Sequence, residues 1–242
     1  MNFKIGVLQE GNPMNDRRVL TELKALSEMG HVVEVLCFKE ELPNDNQEKF
    51  VTRPIIDLQI MNIKNFSYPL QIAQTILTFE YDVVHCHNWH MLKIGAYLKK
   101  LNPKIILIYE SRELFHSWPL NNKATDSLAI KVKSKIVRKL EIRREKKDAF
   151  YADYILTVNE SIAKIVSHYF NKEGRTFFTR NIPQLPVFQT PGENVLRQLY
   201  SIDADKKILV FIGAHIYPRT LNIEQVISEI ANQKDWVLVC IC

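Results

Sequence analysis

The stretch KIGVLQ at residues 4–9 and the stretch HVVEVLCF at residues 31–38 decide the fold of this chain. Both are short, apolar and rich in β-branched residues, a pattern that favours β-strands. The apolar positions between them recur with helical spacing: Val19, Leu20, Leu23 and Leu26. Gly30 stands where such a helix would end. Because HVVEVLCF is apolar almost throughout, it predicts a parallel strand covered on both faces, and the whole stretch predicts a βαβ unit.

The alternation of strand and helix patterns continues along the chain. Further strands are expected at 55–61, 82–86, 104–109, 154–159 and 176–179. Helices are expected at 14–29, from Ser67 and Pro69 onward, and at 91–101, 125–150 and 160–170. Strands that alternate with helices in this way predict an α/β fold with a doubly wound parallel sheet.

A proline-rich segment at 183–192 separates this pattern from a second one. Beyond it, a strand at 206–213, a helix at 221–231 and a strand at 236–242 begin another α/β domain. We therefore predict domains at 1–186 and 187–242. Two strands and one helix cannot cover a parallel strand on both faces, so we expect the second domain to be incomplete and the chain to be truncated.

The composition is that of an ordinary globular protein, with 46% apolar and 24% charged residues among 242. It excludes a disordered, collagen-like or coiled-coil chain. The four cysteines lie in apolar runs rather than in a disulfide framework, which favours a reducing cytoplasm. Apolar stretches such as 236–242 are far shorter than the roughly 20 residues of a membrane span.

The loop after the first strand carries Gly11 just before a helix N-terminus. Doubly wound proteins bind anions and sugars at this place, since free backbone N–H groups converge there. The dinucleotide fingerprint Gly-x-Gly-x-x-Gly is missing, and a plain βα turn accounts for the loop equally well.

The sequence DVVHCHNWH at 82–90 places His85 and His87 on one face of a strand end, with His90 three residues further on. A zinc site is one interpretation, but it needs a further carboxylate or cysteine that the spacing does not supply. The preferred interpretation is that His87 and Asn88 face a ligand at the carboxyl edge of the sheet, while His85 packs inward.

The next strand ends in YESRELF at 109–115, which brings Glu110, Arg112 and Glu113 to the same edge. So many ionisable groups at a strand end either pair with one another or face a ligand. Both interpretations stay open at the level of the sequence.

The segment 131–147 carries nine Lys or Arg residues among seventeen, with Val132, Ile136 and Leu140 at helical spacing. Such a basic amphipathic helix is consistent with an anionic membrane surface. A solvated face with an ordinary buried stripe is the alternative. Nucleic acid is not expected as a partner, because no DNA- or RNA-binding module accompanies the charge.

In the second domain, IGAHIYPRTLN at 212–222 places Gly213 at a strand end and Arg219 near a helix start. A cation beside a helix N-terminus is suited to hold a diphosphate.

Taken in order, these motifs resemble those of the family 4 glycosyltransferases with the GT-B fold. The segments that carry the resemblance are the Gly11 loop with Asp16, Arg17 and Val19, then DVVHCHN, YESRELF, ADYILTVNESIA at 152–163, RNIPQLP at 180–186 and IGAHIYPRTLN. The resemblance extends from Lys4 to Cys242 in the family's order.

The resemblance implies a retaining transferase with two Rossmann-like domains and a nucleotide-sugar as co-substrate, with no cofactor and no obligatory metal. It implies a glycan or lipid-linked acceptor, in bacterial surface polysaccharide synthesis at the cytoplasmic membrane face. Donor-binding residues would be Gly11, Gly213 and Arg219, and acceptor-binding residues would be Asn12, Asp16, His87, Asn88 and Glu110. Arg112 and Glu113 would occupy the catalytic positions.

Arg112 departs from the pattern, because the family has histidine there and a guanidinium cannot accept a proton as imidazole can. Thr220 and Asn159 also replace the usual residues, and the chain ends before the family's donor-gripping glutamate pair. We therefore expect weak donor binding and no turnover by this chain alone. Two alternatives are a non-catalytic relative that binds glycan or a partner subunit, and a UDP-sugar 2-epimerase-like or flavodoxin-like protein.

Overall fold

A computed structural model describes residues 2–37, 51–54, 68–117, 120, 127–182, 195–212 and 223–241. The chain separates into two compact units, Met1–Ile182 and Pro183–Cys242. The expected strand at 55–61, the linker at 183–192 and the division at residue 186 lie outside the described residues. The assignment of an acceptor domain and a donor domain to these units stays a prediction.

Unit 1, which we define as Met1–Ile182, is built on a parallel sheet. Its strands are β1 (Lys4–Gln9), β2 (Val32–Cys37), β3 (Val51–Pro54), β4 (Val83–His87), β5 (Ile106–Glu110), β6 (Tyr154–Thr157) and β7 (Thr176–Phe178). Its helices are α1 (Arg17–Glu28), α2 (Tyr68–Leu77), α3 (Asn88–Leu101), α4 (Leu128–Ala149) and α5 (Glu160–Phe170). The strand order is β3-β2-β1-β4-β5-β6-β7, which confirms the doubly wound parallel sheet. The order reverses between β1 and β4, and ligands of such sheets bind at that carboxyl edge.

Side-chain caps set the beginnings of three helices. The Asp16 carboxylate accepts hydrogen bonds from the backbone N–H groups of Arg18 and Val19, so α1 begins at Arg17 rather than at Met14 as predicted. A separate 3-10 turn, Pro13–Asn15, precedes it. Ser127 caps α4, and Asn159 caps α5. Without these caps, backbone N–H groups at the starts of these helices would lack hydrogen-bond partners.

The two faces of the sheet carry different cores. Ile5, Val7 and Val83 face α1, where they pack against Val19 and Leu23. On the opposite face, a larger apolar cluster packs against α2, α3 and α5 and includes Leu8, Val84, Cys86, Leu107 and Tyr109. Because strand residues alternate between faces, His85 and His87 point with Val83 toward α1, and Cys86 points away.

Unit 2, which we define as Pro183–Cys242, contains α6 (Val195–Tyr200), β8 (Lys207–Ile212), α7 (Ile223–Ala231) and β9 (Trp236–Ile241). β8 and β9 pair in parallel over six residues, from Lys207 opposite Trp236 to Ile212 opposite Ile241. The predicted strand, helix and strand are thus confirmed. Gly213 and Arg219 lie outside the described residues, so their donor-binding role stays a prediction.

Within the described residues, the search for a helix both long and apolar enough to span a bilayer found none.

Candidate functional site

Two neighbouring strand ends bring the predicted site residues together. His87 of β4 lies opposite Glu110 of β5 in the parallel register, with their side chains on the α1 face of the sheet. His85 occupies the same face two residues earlier. Helix α1, which packs on this face, contributes Glu22, so four ionisable side chains meet between one helix and two strands.

The four side chains form a closed ring of contacts in which each imidazole lies between two carboxylates. His85 contacts Glu22 through Nδ1, and its Nε2 lies 3.5 Å from Glu110 Oε2. His87 Nε2 lies 3.3 Å from Glu22 Oε2, and His87 Nδ1 lies 2.7 Å from Glu110 Oε2. His87 is completely buried and Glu110 is 4% exposed. We call these four residues the buried quartet.

Arg112 closes the quartet on the side of the loop after β5. Its Nε donates to Glu110 Oε1 at 3.0 Å, and its Nη1 donates to Asp16 Oδ2 at 2.6 Å. Its Nη2 lies 2.5 Å from His87 Nδ1. Since Asp16 also caps α1, the guanidinium joins the start of that helix to the ends of β4 and β5.

The charges of the quartet outweigh the effect of its burial. Burial by itself raises the pKa of Glu110, but the hydrogen bond and charge of His87, together with the charges of His85 and Arg112, hold that pKa below its usual range. Burial likewise raises the pKa of Glu22, but His85 and His87 lower it by more, so this pKa lies well below its usual range. Burial lowers the pKa of His87, but Glu110 and Glu22 raise it to about 9.

A pocket of about 210 Å³ lies beside the quartet, at the carboxyl ends of β4 and β5. Its lining residues are Glu10, Asn88, Trp89, His90, Tyr109, Arg112, Glu113 and Phe115. The Trp89 ring stacks on Phe115 at a centroid distance of 4.9 Å and lies 3.9 Å from the His90 ring. His90 Nδ1 is 3.1 Å from Glu10 Oε2, and both side chains are partly exposed. Their hydrogen bond lowers the pKa of Glu10 against a smaller opposing effect of burial.

Three of the five predicted acceptor residues lie in the pocket or the quartet. Asn88 lines the pocket, as do the predicted catalytic residues Arg112 and Glu113. His87 and Glu110 lie under α1 and are buried in ion pairs, and their predicted acceptor-binding role stays a prediction. Of the two interpretations of YESRELF, the ion-pair network therefore holds for Glu110.

The loop that contains Gly11 shapes the chain before α1 and is not tightly packed at its glycine. A Cβ atom at Gly11 would meet no described residue within 4 Å, so these neighbours do not require glycine for space. The Asn12 side chain accepts a hydrogen bond from the Met14 backbone N–H and caps the short turn before α1. The predicted roles of Gly11 and Asn12 in ligand binding stay predictions.

Sequence reasoning missed Glu22, Glu10 and Trp89. Glu22 had a signal, since it lies three residues after Val19 and four before Leu26, on the apolar face of α1. A carboxylate on that face requires a buried partner. His90, grouped with the other histidines in the zinc interpretation, instead pairs with Glu10 outside the quartet.

The basic helix α4 does not bury an ordinary apolar stripe. Val132, Ile136 and Leu140 are 47%, 56% and 44% exposed, so the alternative of a solvated helix with a buried stripe is wrong for these positions. Some of its basic residues pack against the rest of unit 1: the Arg138 guanidinium lies 3.8 Å from the Phe115 ring centroid and donates to the Phe115 carbonyl, and Lys146 Nζ lies 4.9 Å from the Tyr169 ring centroid.

Solved structures with the same fold place the chain among GT-B proteins. The chain is similar to sucrose-phosphate synthase from Thermosynechococcus elongatus, with a TM-score of 0.67 at 15% identity, covering 98% of this chain and 62% of that one. It is also similar to HepE from Anabaena, solved with UDP and glucose, with a TM-score of 0.64 at 13% identity over 98% and 60% of the two chains. A putative UDP-N-acetylglucosamine 2-epimerase from Listeria monocytogenes matches at a TM-score of 0.51 and 15% identity, over 99% and 62%.

The sequence itself assigns the family. The profile of Glycosyltransferase Family 4 matches residues 16–178, so the chain belongs to that family. A sequence search among curated proteins found no significant match. The chain spans about three fifths of the length of the structures it resembles. The family assignment favours a transferase over the epimerase-like alternative, which shares the fold alone.

Proposed function

We propose that this chain serves a retaining glycosyltransferase that moves a sugar from a nucleotide-sugar to a glycan or lipid-linked acceptor in bacterial surface polysaccharide synthesis. Unit 1 would bind the acceptor, and unit 2 would bind the donor through Gly213 and Arg219. The observation that carries the acceptor proposal is the pocket at the carboxyl ends of β4 and β5. Membership in the family supports the reaction class.

The pocket has the chemistry that a sugar ring requires. Trp89, supported by the buried Phe115 ring, offers apolar aromatic surface for the C–H groups of a pyranose. Asn88, Glu10 and His90 supply donors and acceptors for hydroxyl groups at the rim. The pocket volume of about 210 Å³ suits a single sugar residue better than an oligosaccharide.

The transfer step needs the leaving diphosphate to be neutralised. Cations and helix N-termini can do this without a metal ion, and Arg219 matches the family position that serves this role. Glu113 is the exposed carboxylate of the pocket, and we propose that it contacts the acceptor hydroxyl. Arg112 would hold the pocket floor through Asp16 and Glu110 rather than accept a proton.

Acceptor binding is testable by titrating the protein with free glycans and lipid-linked oligosaccharides in a calorimeter. We expect Trp89→Ala to weaken binding about tenfold or more, because it removes the aromatic surface. Trp236→Ala, in unit 2, is the matched control and should leave acceptor binding unchanged. Equal affinities of the two variants, or no binding of any acceptor by the unaltered chain, would refute the pocket assignment.

The ion pairs of Arg112 favour a second candidate, a non-catalytic relative that binds glycan or a partner subunit. A guanidinium held by Asp16 and Glu110 does not replace the imidazole of the family. Release of nucleoside diphosphate from a panel of nucleotide-sugars, in the presence of a bound acceptor, separates the candidates. Release supports the transferase, whereas acceptor binding without release, together with copurification of a catalytic transferase, supports the partner role.

We further propose that α4 lies against an anionic membrane on the cytoplasmic side. Exposed apolar side chains alternate there with exposed lysines, including Lys133, Lys135 and Lys139. Reversing these three charges to Glu should weaken binding to phosphatidylserine vesicles by about 100-fold or more, since each basic residue contributes about 1 kcal/mol. The control, reversal of Lys104, Lys164 and Lys234, changes the net charge equally. Equal losses in both variants would show that only net charge matters and would refute the proposal.

A further inference from the structure

The charges around the buried quartet do not balance without additional cations. Three carboxylates, from Asp16, Glu22 and Glu110, lie in or beside the quartet, together with one guanidinium, that of Arg112. The carboxylates exceed the guanidinium by two negative charges in a largely buried place. Two protons on the histidines, or one divalent cation, would cancel them.

Protons on both histidines would still leave hydrogen-bonding atoms of the quartet without good partners. Among the described residues, His85 Nε2 and His87 Nε2 are buried and have no hydrogen-bond partner. The separations from the imidazole Nε2 atoms to the carboxylates are 3.3 and 3.5 Å, whereas a charge-assisted N–H···O bond is about 2.7–2.9 Å long. A buried ionic network with atoms left over is destabilising, so these atoms indicate a missing partner between them.

We propose that Glu22, His85, His87 and Glu110 bind one divalent transition-metal ion, for which Zn²⁺ is the best fit. The ligand atoms would be both Nε2 nitrogens, Glu22 Oε2 and Glu110 Oε2. One donor atom from each residue lies within 4.8 Å of the others. Tetrahedral ligands about 2.0–2.1 Å from zinc lie about 3.3–3.5 Å apart, which matches the two separations above.

The surroundings supply the outer contacts that zinc ligands require. His85 Nδ1 faces the second oxygen of Glu22, and the second oxygen of Glu110 accepts from Arg112. Such contacts fix the ring orientation and the ligand charge. Glu22 is the most exposed ligand, with 22% of its side chain accessible, and marks the side from which an ion enters.

Four protein ligands leave no open position, so the ion would have a structural role. It would fix α1 to β4 and β5 beneath the pocket and hold Glu110, which in turn holds Arg112. The site goes beyond the proposed transferase and does not depend on it. It is also separate from the expectation that sugar transfer needs no metal.

The test uses the full chain, stripped with a chelator and reloaded with Zn²⁺ or Co²⁺. We expect one ion per chain after desalting, the visible absorption of tetrahedral Co²⁺, and a Tm that rises with Zn²⁺ to saturation. Glu22→Gln and His85→Gln should each weaken Zn²⁺ binding by more than about tenfold. His90→Gln, a histidine outside the quartet, should retain the stoichiometry.

The readouts on the unaltered chain do not depend on whether a variant folds. Absence of saturable Zn²⁺ binding, or a Co²⁺ spectrum without tetrahedral absorption, would overturn the proposal. So would an affinity that falls as much in His90→Gln as in folded His85→Gln. Failure of the acceptor titration would leave these readouts unchanged, which separates this site from the proposed function.

Discussion

Two buried glutamates on opposite faces of the sheet, Glu110 and Glu145, differ in the direction in which their pKa values move. They are 4% and 2% exposed. The pKa of Glu110 lies below its usual range, whereas burial raises the pKa of Glu145 to about 7. Glu145 lies on α4 and accepts a hydrogen bond of 2.7 Å from the Tyr109 hydroxyl, on the face of β5 opposite to Glu110.

The difference shows that neighbours, rather than burial, decide whether a glutamate is charged. Glu110 has two imidazoles and a guanidinium within contact distance. In the part of the chain that the structure describes, Glu145 has one neutral hydroxyl as its hydrogen-bond donor, with Arg138 as a weaker influence, and its Oε2 has no hydrogen-bond partner. One face of the sheet thus concentrates charge under α1, and the other is a mostly apolar face on which Glu145 is near the middle of its titration at pH 7.

The largest expected effect is that of Glu110→Gln. The substitution leaves Arg112 and the two histidines without their shared carboxylate, and removing one partner of a buried ion pair costs about 3–5 kcal/mol. Urea-induced unfolding followed by circular dichroism measures the loss. Glu113→Gln, an exposed neighbour in the same loop, should change the unfolding free energy by less than about 0.5 kcal/mol. A loss for Glu110→Gln no greater than for this control would contradict the comparison.

The second prediction concerns the pH dependence that Glu145 causes. Between its unfolded pKa of about 4.5 and its folded pKa of about 7, the folded chain keeps a proton that the unfolded chain releases. The unfolding free energy should therefore fall as the pH rises through this window, by roughly 3 kcal/mol, with the loss complete above pH 7. Glu145→Gln should remove this fall, so the variant should exceed the unaltered protein more at pH 8 than at pH 5.

Urea unfolding at both pH values measures this difference. Glu141→Gln, on the same helix but less buried, is the control and should follow the unaltered protein at both pH values. If Glu145→Gln shows the same pH profile as this control, the raised pKa of Glu145 is wrong.

The smallest effect is expected for Gly95→Ala, where α3 packs on the same face of the sheet as Glu145. A Cβ atom there would lie 2.5 Å from Cys86 Sγ and 2.6 Å from a Leu107 methyl carbon. Overpacking costs about 1–3 kcal/mol, and the better helix propensity of alanine returns up to about 1 kcal/mol. A net loss of about 1–2 kcal/mol is expected in the same urea experiment.

Gly11→Ala is the matched control, since a Cβ atom there meets none of the residues that the structure describes within 4 Å. Combining Gly95→Ala with Cys86→Ala should recover part of the loss, because the substitution removes the nearer of the two clashing atoms. No recovery in the double variant would show that the loss has another cause than this contact.

Local patterns were enough to predict the order of strands and helices, because each depends on residues two to four positions apart. They also placed polar side chains at the ends of β4 and β5, which share one edge in any parallel sheet. They could not find Glu22, because its partners lie more than sixty residues away in sequence. The start of α1 at Arg17 was not predicted, because Asp16 caps the helix with its side chain instead of forming part of its first turn.

The sequence by itself determined the doubly wound sheet of unit 1, the second βαβ unit and the family, since periodicity and ordered motifs are properties of the chain alone. Only the tertiary structure decided that His87 and Glu110 are buried under α1, that Arg112 is held by Asp16, and that the apolar residues of α4 are exposed. Burial, charge state and ligand geometry arise from groups that different elements bring together. Those groups meet only when helix α1 packs on the sheet.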